Sequence, residues 1–163
     1  MNRKKVTIVC CYNDIKQYKR LCVSLEKQSI QFELIGIDNQ TQKFVSCSSA
    51  LNSVLSEVKT EYVIFAHQDI ELPEENMLED YVNYLEKIDF KDILGVAGTL
   101  KGSTKVASHL RHGKKLQCAG EVEYKGLLEC DTIDECFFGG RTLQFQQSMF
   151  DERLCDNWHL YAV

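Results

Sequence analysis

Four short apolar runs, separated by segments with helical spacing, constrain the fold of this chain more than any other feature. The runs are rich in β-branched residues and have the length of buried strands, whereas the segments between them repeat apolar residues every three or four positions. The runs are Val6–Cys11, Phe32–Asp38, Tyr62–Ala66 and Ile93–Ala97, and the helical segments are 15–28, 48–58 and 73–88. Strands that alternate with helices pair in parallel through right-handed crossovers. The pattern therefore predicts an α/β, Rossmann-like fold with a mostly parallel central sheet and helices on both faces.

Local signals set the expected helix boundaries. Ser48 or Ser49 is expected to cap the second helix, and Pro73 is suited to the first turn of the third. The side chains expected to face the core from the third helix are Met77, Tyr81, Tyr84 or Leu85, and Ile88.

The alternation of strands and helices stops after Gly98. Residues 100–124 are polar and interrupted by glycines, which predicts loops and a hairpin. Residues 133–138 are expected to form a further strand, and residues 143–150 a short helix or an extended piece. Only one proline is present and no linker composition occurs, so residues 1–163 are expected to form a single domain. Met149–Val163 contains no terminating signal, and we expect a chain that is cut short.

Charge and hydropathy exclude several classes of protein. The formal net charge is −5, which argues against a nucleic-acid-binding protein and against a polybasic membrane-surface protein. No stretch approaches the roughly 18 apolar residues of an integral membrane segment. The basic start of the chain precedes an apolar run that is too short for a signal peptide. We therefore expect a soluble, cytoplasmic protein.

The eight cysteines allow two interpretations. No pair has the C-x-x-C spacing, and without a secretory signal the thiols are expected to be reduced and to pack as small apolar side chains. The weaker alternative is a zinc-stabilised interaction domain, although the spacings match no known finger or ribbon. Its candidate ligands are His109, His112 and Cys118, or Cys130, Cys136, Cys155 and His159.

Polar residues follow each predicted strand. These segments are Tyr12–Asp14, Asp38–Asn39, His67–Asp69 and Gly98–Thr99. The carboxyl ends of parallel strands meet at one edge, where carboxylates can bind a base or ribose, or hold a divalent cation. The chain has neither a G-x-G-x-x-G motif nor a P-loop, so a nucleotide would be held mainly by carboxylates and a metal. The alternative is that these polar residues are ordinary loop residues.

Three segments resemble the nucleotide-binding half of family 2 glycosyltransferases, which have the GT-A fold. They are VTIVCCYNDIKQYKRLCVSLEKQ, FELIGIDN and SSALNSVLSEVKTEYVIFAHQDIEL. His67-Gln68-Asp69 stands at the Asp-x-Asp position, in the form carried by one branch of the family. The late segment FDERLCDNWHLYAV is similar to the elements near the family's catalytic and acceptor side.

This resemblance implies a metal-dependent, inverting transfer of a sugar from a nucleoside diphosphate, expected to be UDP, to an acceptor hydroxyl. The acceptor is a saccharide, a lipid-linked molecule or a protein. Residues 1–99 would then form the nucleotide-binding half, and residues 100–163 an incomplete acceptor-side half. The implied substrate-binding residues are Cys11, Tyr12, Asp14, Asp38, Asn39, Asn52, Gln68 and Trp158. The implied ligands for Mn²⁺ or Mg²⁺ are Asp69, His67 and His159.

The general base is the least defined part of the expected site. The Glu-Asp pair that supplies the base in this family falls on Tyr161-Ala162, so the candidates are the nearby acids Asp156, Asp151 and Glu152. Because the pair is missing, the alternative to an enzyme is a non-catalytic module that binds a sugar nucleotide.

Overall fold

The computed structural model describes residues 5–113, 115–122 and 124–154. The strands are β1 Val6–Tyr12, β2 Phe32–Asp38, β3 Tyr62–Ala66, β4 Leu94–Gly95, β5 Ala97–Leu100, β6 Val106–Ser108, β7 Arg111–His112, β8 Gln117–Cys118, β9 Cys130–Ile133 and β10 Phe137–Arg141. The helices are α1 Ile15–Leu25, α2 Cys47–Asn52, α3 Met77–Leu85 and α4 Thr142–Gln147, with short 3₁₀ turns at Leu55–Glu57 and Glu152–Leu154.

The central sheet has five strands in the order β2-β1-β3-β10-β4. Strand β1 pairs in parallel with both β2 and β3, whereas β10 runs antiparallel to its neighbours β3 and β4. The remaining strands form a three-stranded sheet, β6-β5-β9, and a two-stranded ribbon, β7-β8. The predicted α/β class and mostly parallel central sheet are therefore confirmed.

Helices cover both faces of the central sheet. Successive residues of β3 point to opposite faces, so Ile64 belongs to one buried cluster and Phe65 to the other. Helices α1 and α3 pack on the Ile64 side, and α2 and α4 pack on the Phe65 side. All five residues of β3 are buried, as expected for a strand covered on both faces.

Two predicted strands have different boundaries in the structure. The run 93–97 is divided between β4 and β5, which belong to different sheets. Gly98 and Thr99 consequently lie inside β5 and pair with β6 and β9, so their predicted place at the ligand edge is wrong. The run 133–138 is interrupted by a turn, in which the Asp134 carboxylate accepts a hydrogen bond from the Cys136 N–H.

Two helix starts also differ from the prediction. Helix α2 begins two or three residues earlier than expected, because the Ser46 hydroxyl, not that of Ser48 or Ser49, accepts the capping bond. Helix α3 begins at Met77, four residues after Pro73. Its buried face starts at Leu78, whose N–H is held by the Gln28 side chain, and this leaves Met77 39% exposed.

The seven cysteines in the described part of the chain are free thiols. Within the same ranges no group of three His, Cys, Asp or Glu side chains could hold a metal ion, so His109, His112 and Cys118 do not form the alternative zinc site. Cys155 and His159, from the other zinc set, lie outside the described residues. No helix in the described ranges is long and apolar enough to cross a membrane.

Candidate functional site

A cleft of about 220 Å³ opens where β1 and β3 end. It is lined by Cys11, Tyr12, Asn13, Asn39, Cys47, His67, Gln68 and Asp69. These residues come from three connections that the parallel pairing of β1 with β2 and β3 brings to one edge of the sheet. Three of the four predicted polar segments therefore meet here, and Gly98–Thr99 does not.

Tyr12 forms one wall of the cleft and is supported by a second tyrosine. Its ring stacks on Tyr18 of α1, with the centroids 4.1 Å apart and the planes 8° from parallel. Gly36 of β2 makes room for this pair, because a Cβ built there would lie 2.2 Å from the Tyr18 hydroxyl oxygen. The pair therefore depends on a glycine in the neighbouring strand.

Asp38 lies beside the cleft as the register partner of Tyr12. Its carboxylate accepts hydrogen bonds from the backbone N–H and the side-chain amide of Gln40. Burial, together with the Asp38 carboxylate, raises the pKa of Tyr12 above its usual value. Tyr12 is therefore a neutral hydrogen-bond donor beside a carboxylate at physiological pH.

Asn39 has a structural role in the described chain. Only 2% of it is exposed, and its side-chain amide closes the β2–α2 connection by pairing with both backbone groups of Phe44. Its backbone N–H donates to the Tyr12 carbonyl, so the same residue joins the connection to β1.

His67 and Asp69 stand at the end of β3, where the backbone turns. The His67 N–H is bound by the Cys136 carbonyl, and the His67 carbonyl accepts from Ile70. The Asp69 carboxylate is exposed and makes no hydrogen bond or ion pair with another residue of the described chain. Glu71, just beyond, forms an ion pair with Arg20 at 3.5 Å.

The side chains of His67 and Asp69 are suited to a cation that is also coordinated by a bound ligand. Two side chains from this chain cannot enclose a metal, but Mg²⁺ and Mn²⁺ commonly take only one or two protein ligands and complete their shell with phosphate oxygens and water. His67 and Asp69 fit such a partial shell at the mouth of the cleft. His159, the third expected ligand, lies outside the described residues.

Two of the residues that line the cleft, Cys11 and Cys47, are free thiols. Burial raises the pKa of Cys11 to about 11 and that of Cys47 to about 12. Both are therefore protonated at neutral pH and are poor nucleophiles and poor metal ligands there. The two thiols therefore add no charge to the cleft, and the exposed Asp69 is the one carboxylate among the described residues that line it.

Asn52, a predicted substrate-binding residue, is not among the residues that line the cleft. Its amide forms hydrogen bonds with both backbone groups of Phe150 and with the Glu152 carboxylate. Asp151 is paired with Arg153, and this interaction lowers the pKa of Asp151 to about 2. Asp156 and Trp158 lie outside the described residues.

Three residues of the site were not identified from the sequence: Tyr18, Gly36 and Cys47. Tyr18 reads as an ordinary core position of an amphipathic helix, and Cys47 as a helix residue. Only Gly36 could have been recognised from the sequence, because a glycine inside a strand pattern often marks a place where another group packs close to the backbone.

No model of a known protein family matches the chain, and no curated protein matches it. Solved structures do. The chain superposes on S. aureus TarS 1-349 with a TM-score of 0.55 and 21% identity, covering 93% of this chain and 51% of that one. This chain has the fold of the part of TarS that it matches. A second TarS structure gives a TM-score of 0.59 at 18% identity, covering 92% of this chain and 31% of that one.

A third neighbour is TarS 1-349 in complex with UDP-GlcNAc, with a TM-score of 0.54 and 16% identity, covering 91% of this chain and 49% of that one. The present chain thus spans about half, or less, of the TarS chains that it resembles. At these identities the likeness establishes the fold alone, and that fold agrees with the glycosyltransferase fold expected from the sequence.

Proposed function

We propose that this chain binds a nucleoside-diphosphate sugar, with UDP as the nucleotide, and transfers the sugar to an acceptor hydroxyl. The observation that carries the proposal is the cleft at the carboxyl ends of β1 and β3, with Tyr12 on one wall and Asp69 at its mouth. Open α/β sheets bind ligands at this edge. The shared fold with TarS, which was crystallised with UDP-GlcNAc, supports the choice of ligand.

The residues of the cleft suit the parts of such a donor. Tyr12 offers an aromatic face and a hydroxyl donor to the base, and Asp38 offers acceptors to the base or ribose. Asp69 and His67 would hold a Mn²⁺ or Mg²⁺ ion, which supplies charge neutralisation for a diphosphate. The sequence resemblance adds the proposals of a GT-A fold and of a transfer with inversion. A cytoplasmic location is proposed from the composition of the sequence.

An inverting transfer requires a base that removes the proton of the acceptor hydroxyl while that oxygen bonds to the anomeric carbon and the diphosphate leaves. Asp151 is poorly suited, because a carboxylate with a pKa of about 2 that is paired with Arg153 is a weak proton acceptor. Glu152 and Asp156 are the base candidates that we retain.

A non-catalytic module that binds the sugar nucleotide is the second candidate. This candidate is favoured because two of the candidate bases are already engaged with other residues. Glu152 accepts a hydrogen bond from Asn52, and Asp151 accepts one from Arg153. In this module the donor would bind as proposed above and no acceptor would be activated.

One experiment tests both candidates. Thermal unfolding of the full chain is followed with UDP, GDP, ADP and CDP, each with Mn²⁺ and with a chelator. A ligand present at a hundred times its Kd stabilises by about 2.7 kcal/mol, which gives a shift of several degrees in Tm. We expect such a shift with UDP, and a larger one with Mn²⁺. No shift with any nucleotide would overturn the proposal, and hydrolysis of UDP-sugars in the same samples separates the enzyme from the module.

A further inference from the structure

The side chain of Gln68 joins the end of β3 to the turn between β1 and α1. Its Oε1 accepts hydrogen bonds from two consecutive backbone groups, the N–H of Asn13 at 2.9 Å and the N–H of Asp14 at 2.8 Å. Its Nε2 donates to Oδ1 of Asn13 at 2.8 Å. Three hydrogen bonds thus connect residues that are 54 or 55 positions apart in the sequence.

The turn held by Gln68 directly follows Tyr12. On its other side, the Asp14 carboxylate accepts from the N–H groups of Lys16 and Gln17 and so caps α1. The Tyr12 carbonyl is bound by Asn39. The backbone around Tyr12 is therefore held by Asn39, just after β2, at one point and by Gln68 at two others.

A glutamine side chain meets the requirements of this position. The turn presents two N–H donors and one side-chain acceptor, and a carboxamide supplies both acceptor and donor groups. A methionine has a similar length but offers no comparable hydrogen bond. A glutamate could accept from both N–H groups, provided that the Asn13 amide rotates to present its NH₂ group.

We propose that Gln68 is a positioning residue, which holds the Asn13–Asp14 turn and thereby orients Tyr12 for the nucleotide. This inference rests on the proposed function and assigns the middle residue of the His-Gln-Asp segment a role distinct from metal or substrate contact. Gln68 acts through the turn because its Oε1 accepts two bonds from the turn and one of its two Nε2 N–H groups donates a third to it.

The first test is amide hydrogen exchange at Asn13 and Asp14, measured by NMR without ligand. Both amides should be protected in the wild-type protein, exchange at least about tenfold faster in Gln68→Met, and stay protected in Gln68→Glu. The matched control is Gln17→Met, because the Gln17 side chain makes no hydrogen bond to another described residue. Unchanged exchange in Gln68→Met would overturn the inference. If Gln68→Met does not fold, Gln68→Asn is measured instead, because its side chain is one methylene shorter and cannot make all three bonds. Loss of protection at either amide supports the inference, and full protection at both overturns it.

The second test measures the affinity for UDP with Mn²⁺ present. Because a displaced Tyr12 would contact the nucleotide less well, Gln68→Met should raise the Kd at least about tenfold, which corresponds to about 1.4 kcal/mol. With a UDP-sugar as substrate, KM should rise while kcat changes less than about threefold. Gln17→Met should leave both unchanged. Fast amide exchange with an unchanged Kd would show a structural link without a positioning role and would overturn the proposal.

The two tests separate the possible failures. If wild-type protein binds no nucleotide, the proposed function fails, and the positioning role fails with it. The exchange data would still decide whether Gln68 holds the turn. If wild-type protein binds UDP and Gln68→Met binds it equally well, the proposed function stands and only the inference about Gln68 is wrong.

Discussion

The side-chain amide of Asn52 forms two hydrogen bonds with the backbone of Phe150, a residue 98 positions later in the chain. Its Nδ2 donates to the Phe150 carbonyl at 2.9 Å, and its Oδ1 accepts from the Phe150 N–H at 3.1 Å. The Phe150 ring packs against Phe65 and Phe145 in the core below. The segment that carries Asp151 and Glu152 is therefore fixed to the end of α2.

Replacement of Asn52 by alanine should lower the free energy of unfolding. The substitution leaves a partly buried N–H and C=O of Phe150 without partners, which costs about 1–3 kcal/mol. Urea unfolding followed by circular dichroism measures the change. The matched control is Asn83→Ala at an exposed position of α3, where alanine should be neutral or slightly stabilising. Equal effects of the two substitutions would contradict the importance of the Asn52–Phe150 contact.

Replacement of Gly36 by alanine should disrupt the Tyr12–Tyr18 pair. The added methyl group would meet the Tyr18 hydroxyl and ring, and overpacking of this kind costs about 1–3 kcal/mol. Calorimetric unfolding measures the loss in stability. The affinity for UDP should fall as well, because Tyr12 forms a wall of the cleft.

A double-mutant cycle identifies the cause of the Gly36→Ala effect. The substitution Tyr18→Leu removes the ring that the new methyl group would meet. It should therefore cost about 1 kcal/mol less in the Gly36→Ala background than in the wild type. Additive effects would show that the strain does not arise between these two positions.

The substitution Asp69→Asn should remove the Mn²⁺-dependent part of the stabilisation by UDP. The change keeps the size of the side chain but removes the charge that a hard cation requires. The Tm difference between samples with Mn²⁺ and with chelator should fall to near zero, while the metal-independent part is retained. Glu71→Gln is the control, because this nearby exposed carboxylate is engaged with Arg20. A metal effect that survives in Asp69→Asn would remove Asp69 from the proposed metal site.

Asp151 should contribute to the dependence of stability on acid. The Arg153 guanidinium and the Arg153 N–H lower its pKa from an ordinary value of 3.8 to about 2. A carboxylate with a depressed pKa stabilises the folded state above its unfolded pKa, and the stabilisation is lost as the pH falls through the folded value. The difference in stability between wild type and Asp151→Asn should therefore be constant above about pH 5 and shrink as the pH falls from about 5 through the folded value near 2. Unfolding curves in that range measure it, and a constant difference throughout would contradict the pairing.

The strands β1, β2 and β3 could be predicted from the sequence because their apolar runs are a local signal. Burial on both faces requires such runs in β1 and β3, whereas the edge strand β2 is only partly buried. The two-residue strand β4 has no periodicity of its own, since its pairing depends on β10 about 44 positions later. The position of β10 between β3 and β4 could not be predicted either, because it depends on pairing with strands that are distant in the sequence. At the site, the charged and aromatic residues could be predicted because their chemistry is distinctive. The roles of Asn52 and Gln68 could not, because an amide acts through whichever backbone groups the fold brings to it.

The position of β10 between β3 and β4 determines when the sheet can be completed. Until Arg141 has left the ribosome, β3 has one unpaired edge, although the cleft-forming end of β3 was synthesised about 70 residues earlier and that of β1 about 130 residues earlier. An apolar strand with an open edge is a template for aggregation. A nascent chain of this protein should therefore need protection by a chaperone over that interval, and a fragment ending near residue 100 should be insoluble by itself.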